Sequence, residues 1–325
     1  MAQRASSRLR ALLNSGRFLG MPSAYDPLGA RLIQATGFKA VYNGGFVTGG
    51  MTCISEPLMT MNEQLQVAAN VANAVSIPVF TDAGGGYGEP LHCMRTVREF
   101  ARHGVAAIHI EDQWYPKRAH YHTYIEHNIP TKDFIDKIRY ACIARDEVDP
   151  DFVVCARSDA CRIQGLPEAI RRINKAADVG ADIGMIFPRN HAETVKAPKQ
   201  AKLPLVYVQS RGNRDGRPLY SWRQLEDMGY RWCIDAIWAI GITYHFLSRA
   251  LEELKGTGDY TGMTPEEFVA ARHNVEKLIG LEDYYRIEAE TVEKETYAAM
   301  RRGKGAHGAT PATGPKTRRA VAKKK

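Results

Sequence analysis

The sequence predicts a (β/α)8 barrel of the TIM type, an α/β fold, and three observations support this prediction. The chain has 325 residues, of which 44% are hydrophobic, and this is enough apolar chain for one large barrel. Short runs of β-type composition alternate with amphipathic helical stretches, which is typical of parallel strands joined by right-handed crossovers. Eight such runs are present, and eight strands close a barrel. A doubly wound open sheet is the competing α/β fold.

The predicted elements follow one another in chain order. Strands are expected at 18–21, 40–43, 78–82, 107–111, 152–157, 183–187, 205–208 and 231–234. The expected helices include 27–36, 62–75, 91–103, 131–146, 166–178 and 221–228. Three more helical stretches, at 238–254, 265–279 and 281–301, follow the eighth strand. Because a barrel closes without them, we expect residues 1–302 to form a barrel with a C-terminal helical extension that covers a partner subunit or the barrel flank.

Charge and composition limit the partners of the protein. The net charge is +8, but nine Lys and Arg residues and no acidic residue lie at 301–325, so the rest of the chain carries −1. We expect residues 303–325 to form a disordered basic tail, and a near-neutral body argues against nucleic-acid binding. The chain lacks the run of roughly 18 apolar residues that a membrane span requires. Six cysteines without a CxxC pair indicate reduced thiols in a cytoplasmic protein.

Polar residues concentrate where four consecutive predicted strands end. Strand two runs into Asn43-Gly44-Gly45, strand three into Asp82 and three glycines, strand four into Glu111-Asp112-Gln113 and strand five into Arg157-Ser158-Asp159. Any one of these ends is compatible with an ordinary turn. Four in succession indicate an active site, because barrel enzymes place theirs at the carboxyl ends of the strands.

Two carboxylates and the glycine clusters suggest the ligands of that site. Asp82 and Glu111 carry the oxygen ligands that a hard divalent cation prefers, and burying both without a cation is costly. Mg²⁺ satisfies that requirement, whereas pairing of one carboxylate with Arg157 is the alternative. The glycine clusters do not match GxGxxG or GxxxxGK[ST]. They favour backbone N–H groups that approach a substrate carboxylate, or plain turns.

Longer motifs carry a family resemblance. The run Ile108–Gln113, followed by Lys117-Arg118, resembles the "HIEDQ…KRCGH" signature of the isocitrate lyase/phosphoenolpyruvate mutase superfamily. Residues 151–160 resemble its "PDFVIMARTDA" strand. Residues 23–30 and 78–83 are similar to the openings of its first and third strands, and 186–188 to its sixth. The similarity covers roughly residues 5–300.

The resemblance implies a carbon–carbon lyase of the isocitrate lyase/PEP mutase type, similar to 2-methylisocitrate lyase, dimethylmalate lyase and oxaloacetate decarboxylases. In such enzymes Mg²⁺ (or Mn²⁺) and an arginine hold a 2-oxo acid or its enolate, which is stabilised as charge develops. The implied metal ligands are Asp82 and Glu111. The implied substrate-binding residues are Asn43, Gly44, Gly45, Tyr25 and Asp26, and the implied catalytic residues include Arg157 and Lys117. The resemblance also implies a homotetramer that exchanges C-terminal helices.

Four departures from the family pattern modify these expectations. Gly84 and Val208 replace polar residues of the metal shell, which predicts weakened Mg²⁺ binding. Arg189 replaces a Glu, which suggests that it binds a substrate with more negative charge or with a different acceptor group. Ala119 replaces the cysteine that serves the lyases as general acid, so His120, Tyr121 or His122 is expected to supply the proton. A phosphonopyruvate-type P–C bond enzyme and a catalytically silent dicarboxylate-binding barrel remain alternatives.

Overall fold

The eight predicted strands are all present and form one parallel sheet. The computed structural model describes residues 3–119, 122–212 and 215–301. The strands are β1 Leu19–Pro22, β2 Val41–Asn43, β3 Val79–Asp82, β4 Ala107–Glu111, β5 Val153–Ser158, β6 Ile183–Ile186, β7 Leu205–Gln209 and β8 Trp232–Asp235. Their order is β1-β8-β7-β6-β5-β4-β3-β2, and a parallel bridge between Ser23 and Tyr42 joins the two ends. The sheet is therefore a nearly closed barrel, which confirms the predicted fold class.

Helices surround this sheet. Their bounds are α1 Ala5–Asn14, α2 Pro27–Ala35, α3 Gly45–Thr52, α4 Met61–Ala74, α5 Pro90–Arg102, α6 Thr131–Val148, α7 Cys161–Gln164, α8 Leu166–Asp178, α9 His191–Gln200, α10 Trp222–Met228 and α11 Trp238–Thr257, with a short 3₁₀ helix at Glu56–Leu58. Side-chain caps mark several starts: Thr60 and Glu63 form a capping box at α4, and Asp26 accepts from the Gly29 amide at α2. Such caps satisfy amide groups that lack a partner within the helix.

Alternation along the strands separates two apolar layers. Ile108 and Ile110 of β4 pack in the outer layer, between the sheet and the helices. Phe80 of β3 and Trp232 of β8 pack together inside the barrel. Successive side chains of a strand point to opposite faces, so the intervening residues of β4, which include Glu111, face the barrel interior.

The C-terminal helices form a second compact unit. Contacts divide the chain after Gly262, and the second unit contains α12 Pro265–Ile279, α13 Leu281–Glu290 and α14 Lys294–Arg301. The stretch predicted as one helix at 281–301 is therefore two helices, which a turn at 291–293 separates. The prediction that residues 1–302 form one domain stays a prediction. Within the described ranges, no helix is long and apolar enough to span a membrane. The basic tail at 303–325 lies outside the described residues.

Candidate active site

A cavity opens at the carboxyl ends of the strands, where the sequence predicts the site. It is open to solvent and has a volume of about 60 Å³. Its lining residues are Tyr42, Gly44, Gly45, Phe46, Glu56, Asp82, Ala119, Arg157, Met185, Phe187, Val208, Ser210, Arg217, Ile234, Ala236 and Ile237. Predicted site residues from strand ends two, three and five thus meet in one place.

Three carboxylates surround one ammonium group beside this cavity. The Nζ atom of Lys117 lies 2.7 Å from Oε1 of Glu56, 3.2 Å from Oδ2 of Asp82 and 3.5 Å from Oε2 of Glu111. All four side chains are buried. Burial opposes the charged ammonium, but the attraction of the carboxylates outweighs it and raises the pKa of Lys117 well above its ordinary value. Lys117 therefore stays a cation at neutral pH.

The carboxylates of this cluster respond differently to burial. Burial raises the pKa of Glu111 to about 7, although Arg157 and Lys117 oppose the shift. Burial would also raise the pKa of Asp82, but Lys117 and His109 outweigh it, so that pKa is lowered. Asp82 is therefore the permanent anion of the pair, whereas Glu111 can carry a proton near neutral pH.

Arg157 links this cluster to the β4–α6 loop, residues 112–130. Its Nη1 lies 3.0 Å from Oε2 of Glu111, and its Nη2 donates to Oδ1 of Asp159 at 3.2 Å. Asp159 also accepts from Nε2 of Gln113 at 2.8 Å. The Gln113 side-chain oxygen in turn accepts from the amide of Arg118 at 2.7 Å. One buried chain of hydrogen bonds thus joins the loop beside Lys117 to the guanidinium in the cavity.

The glycines expected to bind a carboxylate line the cavity. A Cβ atom on Gly45 would lie 2.6 Å from Oε1 of Glu56 and 2.8 Å from Oδ2 of Asp82, so a side chain there would have to displace both carboxylates. Asn43 has a different environment. Its amide donates to the carbonyl of Ala24 at 3.0 Å, and its Oδ1 accepts from Gln64 at 2.8 Å. Asn43 therefore belongs to a buried polar network and does not line the cavity.

Three other predicted substrate-binding residues also lie outside the cavity lining. The Tyr25 hydroxyl lies 2.7 Å from Oγ1 of Thr243, and Asp26 caps α2. The Arg189 side chain is half exposed and pairs with Glu193 of α9. The additional positive charge in the cavity comes instead from Arg217, on the loop after β7.

The loop residues that replace the lyase signature are only partly described. Ala119 lines the cavity, so the position of the missing cysteine faces the region where a substrate would react. The amide of His122 donates to the Ala119 carbonyl at 2.8 Å. Burial lowers the pKa of His122, which favours a neutral ring. His120 and Tyr121, both predicted catalytic residues, lie outside the described residues.

The carboxylate cluster also has the donor set of a magnesium site. Asp82, Glu111 and Glu56 offer hard oxygen ligands, and both Glu111 oxygens are buried without a hydrogen-bond partner among the described residues. No group of three His, Cys, Asp or Glu side chains within those residues is already arranged around a metal position. Lys117 stands between the three carboxylates, so a bound cation would have to displace its ammonium. The carboxylate oxygens of these residues are suitable ligands for Mg²⁺ once the Lys117 side chain has moved aside.

A barrel whose mouth combines an arginine, backbone amides and a carboxylate cluster defines an enzyme of small anionic substrates. The chain belongs to the phosphoenolpyruvate phosphomutase family, whose model matches residues 9–255. It is 34% identical over 257 residues to a probable 2-methylisocitrate lyase 2 of Corynebacterium glutamicum, covering 78% of this chain and 81% of that protein. This match confirms the superfamily that the motifs predicted.

Solved structures agree with this assignment. The crystal structure of 2,3-dimethylmalate lyase superposes with a TM-score of 0.80 at 30% identity and covers 89% of this chain and 96% of that one. A phosphonopyruvate hydrolase in complex with oxalate and Mg²⁺ superposes with a TM-score of 0.76 at 25% identity, covering 89% and 100%. The relatives are thus C–C lyases and decarboxylases of small carboxylates, with phosphonopyruvate enzymes among the structural neighbours.

Proposed function

We propose that the protein is a carbon–carbon lyase that cleaves a small 2-hydroxy or 2-oxo di- or tricarboxylate, by retro-aldol cleavage or decarboxylation, through an enolate. One observation carries this proposal: Gly44, Gly45 and Arg157 line a single cavity together with Glu56 and Asp82, the two carboxylates nearest to Lys117. A 2-oxo acid needs a carboxylate-binding surface and a cation beside its keto oxygen. These residues supply both within one small volume.

Each group has a distinct part in the proposed reaction. The amides at Gly44 and Gly45 bind the carboxylate next to the reacting carbon, and Arg157 stabilises the oxygen on which negative charge develops. Lys117, whose raised pKa keeps it protonated, supplies positive charge between the carboxylates until a metal ion displaces its ammonium. Mg²⁺ (or Mn²⁺), held by Asp82 and Glu111 with Glu56 beside them, would act as a Lewis acid on the same oxygens. Its affinity is expected to be weak, because Lys117 competes for the same carboxylates.

The enolate must then receive a proton from the β4–α6 loop. Ala119 faces the cavity and has no proton to give. We propose that His120 or Tyr121 supplies it. The neutral His122 ring accepts from the Ala119 amide through Nδ1, 3.3 Å away, and therefore holds the loop in place.

A product assay with a panel of 2-hydroxy and 2-oxo acids tests the proposal. The wild-type protein with Mg²⁺ should release pyruvate or another 2-oxo acid from at least one panel member. Asp82→Ala should remove nearly all of this activity together with its dependence on the cation. Full activity in excess chelator would contradict the metal assignment. Binding of pyruvate without turnover of any panel member would favour the silent barrel instead.

We also propose a cytoplasmic homotetramer that exchanges C-terminal helices. All six cysteines are free thiols, five of them buried. None of the residues of α11 is buried, although Tyr244, Phe246 and Leu251 are large and apolar. Such a surface suits contact with another subunit. Light scattering should show a tetramer at micromolar concentration, and deletion after Arg302 should leave it intact. A monomer would contradict the proposal.

A further inference from the structure

Arg217 has more hydrogen-bond capacity than its protein contacts use. Its side chain is only 5% exposed, although it lies on the loop between β7 and α10. Its Nε donates to Oδ2 of Asp215 at 2.6 Å, and its Nη1 donates to the carbonyl of Val208 at 3.2 Å. A guanidinium has five N–H donors, and within the described residues these two hydrogen bonds are the ones that its side chain makes. Buried donors are normally satisfied, so the remaining ones call for an acceptor in the cavity.

The position of Arg217 is fixed from two sides. Asp215 holds the Nε edge of the guanidinium. The Cζ atom of Arg217 lies 4.7 Å from the centre of the Phe187 ring, and the Cζ atom of Arg157 lies at the same distance from that ring. Both arginines line the cavity. The site therefore presents two guanidinium groups beside one aromatic ring, and both are held before any ligand binds.

The two arginines differ in the charge that surrounds them. Arg157 is within 4 Å of the carboxylates of Asp82, Glu111 and Asp159. Arg217 has one ion pair with the described residues, to Asp215, and its cavity neighbours Met185, Phe187 and Val208 are apolar. Desolvated positive charge of this kind favours an anion, and a planar guanidinium matches a carboxylate in geometry.

We propose that Arg217 binds a second carboxylate of the substrate, remote from the one at Gly44 and Gly45, and thereby selects dianionic 2-oxo or 2-hydroxy acids over monocarboxylates. The inference rests on the proposed function for the orientation of the substrate, with its 2-oxo end at Arg157. It assigns to Arg217 the charge selectivity that the sequence suggested for Arg189. The substrate class is therefore a dicarboxylate, or a larger acid, whose distal carboxylate reaches the β6–β7 side of the barrel.

Calorimetric binding of two matched ligands tests this site without requiring turnover. Pyruvate and 3,3-difluorooxaloacetate share the 2-oxo carboxylate, and only the second has a distal carboxylate. With Mg²⁺ present throughout, Arg217→Gln should weaken difluorooxaloacetate binding about 10- to 100-fold, as expected for charge-assisted hydrogen bonds. The affinity for pyruvate should change by less than about twofold, because pyruvate has no distal carboxylate that could contact Arg217.

Two further variants make the result decisive. Arg211→Gln is the matched control, since Arg211 lies on the same loop but is 59% exposed and does not line the cavity. Arg217→Lys keeps the positive charge but loses the planar guanidinium. It should therefore reduce the preference for the dianion less than Arg217→Gln does. If Arg217→Gln fails to fold, the Arg217→Lys variant carries the test, and a preference equal to wild type would overturn the proposal.

The outcomes separate this inference from the proposed function. An equal loss of both ligands in Arg217→Gln, or a loss no larger than in Arg211→Gln, overturns the second carboxylate site whether or not the enzyme turns over substrate. Selective loss of the dianion supports the site even if no panel substrate is cleaved, in which case only the lyase reaction is contradicted.

Discussion

The two halves of the barrel mouth have opposite chemistry. On β3 to β5, Asp82, Glu111 and Arg157 are buried and ion-paired, and register places Glu111 beside Arg157 on neighbouring strands. On β6 to β8 the strand residues that line the cavity, among them Met185 and Val208, are apolar, and the charged group on this side is Arg217 of the loop after β7. The boundary lies between β5 and β6, where Arg157 is the register partner of Met185.

Under the proposed function, this difference separates catalysis from selectivity. The charged half would contact what every 2-oxo acid has, a carboxylate and an oxygen that becomes an enolate. The removal of one partner from a buried ion pair typically costs about 3–5 kcal/mol, so this half tolerates little change. The apolar half contacts what differs between substrates. An extra methylene in an apolar pocket changes discrimination by roughly 10- to 200-fold, and such changes leave the charged half intact.

The largest expected effect concerns the proton donor on the loop that follows β4. Either His120→Ala or Tyr121→Phe should lower kcat by about 10²- to 10⁴-fold, the usual contribution of general acid catalysis. Pyruvate binding should stay nearly unchanged, because the charged half still holds the ligand. Steady-state kinetics measures kcat, and calorimetry measures the affinity for pyruvate. If kcat is unchanged in both variants, the proton comes from solvent and decarboxylation is the favoured reaction.

Ala119→Cys is the complementary variant. If it gains the ability to cleave a methylisocitrate-like substrate, position 119 still faces the reacting carbon.

The second prediction concerns Arg157 itself. Arg157→Lys keeps a positive charge but cannot contact Glu111 and Asp159 together with the substrate oxygen. We expect kcat to fall about 10²- to 10³-fold, similar to the loss of one preorganised oxyanion donor. Arg211→Gln, an exposed arginine outside the cavity, is the matched control and should stay within twofold of wild type. A drop of less than about tenfold would show that Lys117 and the metal carry the oxyanion without Arg157.

Much of the charged half was predictable from sequence, and the reason is periodicity. Residues that end consecutive parallel strands must meet, so Asp82 and Arg157 could be placed in one site before any coordinates. The place of Glu56 in this site could not be predicted in the same way. Glu56 reaches the cluster because the segment that contains it packs closely against α3. A Cβ atom on Gly49 would lie 2.6 Å from the Ile54 carbonyl and 3.1 Å from the Glu56 amide. That approach depends on the turn that ends α3, and the glycine pattern alone did not specify this turn.

The apolar half was less predictable, because periodicity relates residues within strands but not within loops. Arg217 lies on a loop, where no period relates a side chain to the barrel axis, and its position depends on Asp215 and the Phe187 ring. The family resemblance placed Arg189 in the site because it replaces a Glu, but Glu193 in the first turn of α9 pairs with it outside the cavity lining. Helix α9 is not among the helices named from the sequence, and it contains Pro198, a residue that disfavours a helix interior.

A smaller effect should follow from loosening the chain of hydrogen bonds between the loop and Arg157. Gln113→Met keeps the shape of the side chain but loses the bonds to Asp159 and to the Arg118 amide. Each such bond contributes about 1 kcal/mol, so kcat should fall roughly tenfold through misplacement of Arg157. Tryptic cleavage after Lys117 or Arg118 should accelerate at the same time. A slower reaction with unchanged cleavage would show that Gln113 does not hold the loop.

The smallest catalytic effect is expected in the apolar half. Val208 lines the cavity and is 7% exposed, and Val208→Ala removes two methyl groups from its wall without touching a charged group. Stability should fall by about 1–2 kcal/mol, as for other deletions of buried methyl groups, while kcat for the best wild-type substrate stays within about threefold. The ratio of kcat/KM for substrates with one more and one fewer methyl group should shift up to about tenfold toward the larger, because the vacated volume accommodates the additional group. A variant that loses kcat as strongly as Arg157→Lys, with unchanged selectivity, would show that the division between the two halves is wrong and that the β7 wall positions the reacting atoms.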